Sequence, residues 1–360
     1  MYPRIVHGAV SQWQKYAARA QQEQQVGLRE LRIVYGIWLF AFALKLTGSS
    51  WDVAWHFRYL REDLAIPHVV NTIGLMVGMA VLAYQTVTGF AVDRWGLRLA
   101  QAGVAIFLVA VPLDVLNHRL FGLDLTSFSP THIMLYLGTA IMLVGVIRSW
   151  LKLAPAGWTR RLFGLTLWGF LLEDVLFALG QQEYGRLAIA AYDRGQSTAS
   201  PELIAAGGAN LRAFALGGVP VWVYPVWLIL FSVLTLAAAR QFQGGRWTAT
   251  IVAALYLGYR YLAYLILTSL SFPPSFIPLM LLGGAVVIDL SFDRQWGALL
   301  TTVLLVAVYY ATAWLIGQVT LMPQFPLVAA PMVAVVLWTG WTGLRWWQRT
   351  GHLYRPAWLA

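Results

Sequence analysis

Cysteine is absent from all 360 residues of this chain. Disulfides, iron–sulfur clusters, cysteine-type structural zinc and blue copper are therefore excluded. Charge is scarce as well: Asp, Glu, Lys and Arg make up 11% of the residues, against 59% hydrophobic. Soluble domains carry about 25% charged residues, so this balance points to a chain that lives in lipid. Acidic groups are the scarcer sign, 15 against 25 basic ones. The dense HxxxH and HxxHH boxes of membrane di-iron desaturases and hydroxylases are missing, and so is any nucleic-acid-binding motif. Residues 1–30 are polar, and no cleavable signal is expected there.

What the chain has in abundance is apolar runs near 20 residues long, the length that crosses a bilayer as a helix. They fall at about 31–50, 66–87, 98–117, 131–151, 162–180, 217–239, 247–269, 275–292, 296–317 and 326–345. None shows the alternation of a transmembrane β-strand. The expected fold is an all-α polytopic membrane protein of about ten transmembrane helices, arranged as repeated helical hairpins. Basic residues set the orientation. With the N-terminus inside, 17 of the 25 Lys and Arg fall in inner segments, six in outer loops, and Lys45 and Arg260 within spans. Both termini are therefore expected inside a cytoplasmic-type membrane, and the charge of +10 is mostly an inner-face feature. The expected organisation is a cytoplasmic amphipathic lead-in (1–30), two motif-bearing hairpins (31–151), further spans with a long outer loop at 181–216 (152–345), and a cytoplasmic tail (346–360).

The two hairpins carry a repeated motif. Asp52-Val-Ala-Trp-His56 is echoed 62 residues later by Asp114-Val-Leu-Asn-His118. Each copy runs on to a second histidine just after a proline, His68 after 11 residues and His132 after 13. Asp and His four apart on a helix share a face, and carboxylate and imidazole are donors for a transition metal. Weaker echoes follow at Glu173-Asp174 and at Ser271–Ile277, where Ala178 and Phe276 replace histidines. Lys45, Asp52, Asp114, Glu173, Asp174, Arg260 and the four histidines all fall near the outer ends of spans. Ionisable residues at membrane depth face a bundle interior, one another or a ligand, so this layer reads as a shared site. Plainer readings exist for each part. A single histidine at a span end is usually interfacial, an Asp at a helix end can be a cap, and Glu173 and Asp174 can simply neutralise Arg260 or Lys45.

Donor type suits copper, zinc or non-haem iron. A di-haem arrangement needs His118 and His132 on one continuous helix, and Gly122, Asp124 and Pro130 intervene. Three other classes stay open: a non-catalytic scaffold or assembly subunit with a structural metal, a haem or quinone redox subunit, and a transporter.

The motif resembles that of the C subunit of the copper membrane monooxygenases, the particulate methane and ammonia monooxygenase family. The likeness rests on Asp52-x-x-Trp55-His56, then Arg61-Glu62 and Pro67-His68, and on Asp114-x3-His118 followed by Pro130-Thr131-His132. It spans about residues 45–140. One residue is missing before His68, and Asp114 stands where the family has Asn. The resemblance implies two copper sites, Asp52/His56/His68 and Asp114/His118/His132, and dioxygen chemistry on a small apolar substrate. Glu173 and Asp174 are then candidate proton relays, with Lys45 and Arg260 balancing charge. Implied partners are lipid and other membrane subunits or further copies of the chain, with no nucleic acid.

Overall fold

The computed structural model describes residues 26–56, 65–121, 127–179, 219–272, 276–319 and 322–350, without the side chains of Val53, His56, His118 and Phe121. Among these residues there is no strand. Ten α-helices follow one another: α1 Leu28–His56, α2 Ile66–Thr88, α3 Arg94–Phe121, α4 Pro130–Leu153, α5 Trp158–Leu176, α6 Val223–Gln243, α7 Thr248–Ser269, α8 Met280–Asp293, α9 Ala298–Gly317 and α10 Ala330–Thr350. Nine stretches are long and apolar enough to cross a membrane. The exception is α8, with 14 residues, or about 21 Å of helix. The non-helical residues 276–279 lead into it. The expected loop 181–216, nearly all of the lead-in and most of the tail lie outside the described residues.

The first two hairpins, α1–α2 and α3–α4, are each zipped by small residues. A Cβ at Gly74 of α2 would lie 2.5 Å from the Lys45 amide nitrogen and 2.6 Å from the Ala41 carbonyl of α1. A Cβ at Gly138 of α4 would lie 2.8 Å from both the Gly103 carbonyl and the Phe107 amide nitrogen of α3. Such glycines let helix backbones touch, the main source of helix association in lipid. The contacts are also in register with the repeated motif. Ala41 and Gly103, Lys45 and Phe107, and Asp52 and Asp114 are all 62 apart; Gly74 and Gly138, like His68 and His132, are 64 apart. The duplication thus extends from the motif into the packing. Lys45 Nζ lies 3.7 Å from the centre of the Phe107 ring. Equivalent positions that touch each other lie close to the axis relating the repeats.

The remaining helices pack beside this pair around a core that includes Leu167, Leu172, Leu228, Ile229, Val252 and Ile288. Polar groups pin the end of the bundle opposite the histidines. Buried Asp289 of α8 accepts hydrogen bonds from the Ala249 and Thr250 amides, at 3.2 and 2.8 Å, capping α7 from a neighbouring helix. Arg240 reaches Asp289 at 3.2 Å and Asp293 at 2.6 Å. Asp93, just before α3, takes Arg148 at 2.8 Å and Lys152 at 2.9 Å, and accepts from the Gly96 amide. Burial alone would raise the Asp93 carboxyl, but these donors outweigh it and hold it below the usual carboxylate range.

Candidate functional site

At the other end of the bundle, the facing ends of α1 and α2 and of α3 and α4 bring the Asp and the second His of each motif together. Asp52 stands near the end of α1 and His68 on the first turn of α2, which Pro67 opens. Their side chains meet, with His68 Nε2 at 2.9 Å from Asp52 Oδ1. The second hairpin repeats the arrangement. Ser129 caps α4 by accepting from the His132 amide at 3.3 Å, with Pro130 in the first turn. His132 Nε2 then lies 3.5 Å from Asp114 Oδ1, and the Thr131 hydroxyl donates to the same oxygen at 2.6 Å. All four groups keep some exposure, between 18 and 36%. His56 is the last residue of α1 and His118 lies near the end of α3, each one turn beyond its Asp. Their side chains are outside the described ones. His118 and His132 fall on different helices, so the single-helix di-haem arrangement does not apply.

The donor geometry bears on a metal directly. Two ligands with bonds of about 2.0–2.1 Å lie about 2.9 Å apart when at right angles and about 3.4 Å apart in a tetrahedron. The two Asp–His separations match these values and consist of oxygen and nitrogen donors. The 2.9 Å separation also suits a hydrogen bond by length, whereas 3.5 Å is longer than the usual N–H···O range. Among the described residues no group of three or more His, Asp or Glu forms a metal-holding cluster; the third donor of each set would be His56 or His118.

Tyr136, which the motif does not mark, stands between the pairs. It sits one turn beyond His132 on α4, its ring stacked at 6.4 Å between centroids. Its hydroxyl bonds the Ser127 side chain, and Asp52, Asp114 and Asp174 are all within electrostatic range of it. The sequence hides this tyrosine because the equivalent position of the first hairpin, 64 residues earlier, is Thr72.

Behind the pairs lies a largely buried polar layer. Lys45 donates to Asn71 Oδ1 at 3.1 Å and interacts electrostatically with Asp174. Glu173 Oε1 accepts from Ser50 at 2.5 Å and from Arg260 at 3.2 Å, and the Tyr259 hydroxyl donates to Ser50 at 3.1 Å. Arg260 is thus ion-paired with Glu173, while Lys45 and Asp174 interact electrostatically at longer range. Ser50, Asn71 and Tyr259 are additional members, and only their positions beside charged residues could have drawn attention to them.

Compared with protein-family models, curated proteins and solved structures, the chain has no significant match in any of the three.

Proposed function

We propose that this integral membrane protein binds copper at its Asp–His turns and belongs to a monooxygenase-like system acting on a small apolar substrate with dioxygen. The observation that carries the reading is the repeated meeting of Asp and His across the first turn of each hairpin, at 2.9 and 3.5 Å. Asp52, His56 and His68 would hold one ion and Asp114, His118 and His132 the other. Imidazole and carboxylate bind copper without thiolate, and zinc or non-haem iron would accept the same donors. Copper, when bound, would supply the activation of dioxygen.

The chain's own groups have separable roles. Asp114 is fixed by Thr131, and His132 is set by the Ser129 cap, so the second donor pair is oriented before any ion arrives. Glu173 and Asp174 can carry protons toward this layer, while Arg260 and Lys45 offset their charge. Apolar helix faces on the lipid side of the layer partition apolar molecules toward it. The histidine end faces the outside of a cytoplasmic-type membrane in this scheme, as the basic-residue bias requires.

A second reading has its own support. Each Asp–His pair is already a direct contact between helix ends, so it can act as a clasp that fixes the hairpin in a scaffold subunit. Elemental analysis of the purified protein separates the two. The copper reading expects bound copper in the native chain, strongly reduced in His68→Ala/His132→Ala and unchanged in His352→Ala. A native chain without transition metal after copper loading, or a double variant that retains its full content, leaves the clasp.

A further inference from the structure

A small cavity opens at the histidine end between α5, α7 and the stretch that leads into α8. It is lined by Glu173, Phe177, Tyr256, Arg260, Phe276 and Pro278, among others. Two observations converge there. Glu173 is 2% exposed, and while its Oε1 has two donors, its Oε2 has no hydrogen-bond partner among the described residues. Asp174, next on the helix, does not line the cavity but is 4% exposed and also has an Oδ2 without a hydrogen-bond partner among those residues. The wall made by residues 276–279 is not helical, and Arg260 donates to the Phe276 carbonyl at 3.5 Å. Irregular backbone at membrane depth is tolerated where it is buried in protein or lines a cavity that holds water. Leaving a buried carboxylate oxygen without a donor costs more than leaving a neutral group so, which favours the second case here.

We propose that this cavity is a water-filled port through which protons reach the Glu173–Asp174 carboxylates from the histidine end. Water in the port donates to Glu173 Oε2. When a proton enters, an O–H bond forms on a carboxylate oxygen and one breaks on the hydronium ion that delivered it; no electron moves. Facing Glu173 are Arg260, Tyr256 and Tyr259 of α7 and Ser50 of α1. Facing Asp174 are Lys45 of α1 and Tyr136 of α4. The two cations offset the two carboxylates, so one added proton changes the net charge of a closed set. Aromatic walls and the Pro278 turn hold the port narrow. The port deepens the relay role proposed above for these carboxylates and needs no copper.

The test uses the full chain in lipid nanodiscs, free of metal and then copper-loaded. Hydroxyl radicals generated by a brief X-ray pulse label side chains next to bound water. Tyr256 and Phe276 should be oxidised severalfold faster than Tyr309 and Phe42, which are the same residue types and are also buried. Equal rates overturn the port. Infrared difference spectra between acid and neutral pH should show a protonated-carboxyl band that shifts in D2O and is lost in Glu173→Gln or in Asp174→Asn. A band absent from the native chain, or unaffected by both substitutions, overturns proton entry. Should either variant fail to fold, the labelling of the native chain still decides. Copper content measured on the same samples keeps the readings apart: labelling without copper binding rejects only the metal, and copper without labelling rejects only the port.

Discussion

Lys45 shows what one residue does in this protein. Its ammonium is buried among a ring, an amide and a carboxylate: Phe107, Asn71 and Asp174. Lys45 and Asp174 are both buried and interact electrostatically, so removing one leaves the other's charge less compensated. Lys45→Met should therefore lower thermal stability sharply, and Lys45→Met/Asp174→Asn should recover much of the loss. A double variant no better than the single one would mean that the pair is not coupled. Asp93 gives a second residue-scale expectation. Its folded-state proton affinity is depressed, so its contribution is full above the unfolded carboxylate value of about 3.9 and is lost as pH falls through the lower folded value. Melting temperatures should drop on acidification in that window, and Asp93→Asn should melt lower at neutral pH with a flatter acid limb. An unchanged acid limb in the variant would assign that loss to other carboxylates.

Glycine contacts decide the geometry of the helical elements. At Gly103 a Cβ would meet the Gly138 carbonyl and Met142 amide, both at 2.5 Å. Backbone cannot move aside as a flexible side chain can, so Gly103→Leu should splay α3 from α4. A spin-label pair across the hairpin should report a wider separation, and the Asp114–His132 pair should part. The same substitution at Gly169, where an added Cβ meets nothing within 4 Å, is the control. Helices were readable from hydropathy, but their ends were not. The first span, expected at 31–50, runs from Leu28 to His56. A hydropathy window stops at the first charges, whereas helical hydrogen bonding continues through residues such as Asp52 whose polar groups have partners in the bundle. The motif's Asp–His spacing was legible because covalent distance along a helix fixes it. Tyr136 and the pairing of Lys45 with Asp174 were not, because packing between helices distant in sequence places them.

The whole molecule is a set of alternating helices whose two ends differ in chemistry. Asp93, Asp289 and Asp293 gather arginines and a lysine at one end, and the Asp–His turns mark the other. A chain without cysteine is a clean background for mapping which end faces which side. Pro220→Cys, before α6 at the histidine end, should react with a membrane-impermeant maleimide added outside intact cells. Gly297→Cys, before α9 at the opposite end, should react only after lysis. The reverse pattern would put the histidines on the cytoplasmic side and remove the basis for the proposed orientation.

The contact between Lys45 and Phe107 also speaks to the history of the chain. Before two hairpins were joined in one polypeptide, two copies of a single hairpin would have met along the same axis, and the residue at that axis would have faced its own twin. Two lysines there would repel, and two phenylalanines would leave no cation for a neighbouring carboxylate. Once the two hairpins are encoded separately, the twin positions can diverge, one keeping a charge and the other becoming its aromatic seat. On this view the lone ammonium is a product of lost symmetry, and Phe107→Lys would restore the ancestral conflict.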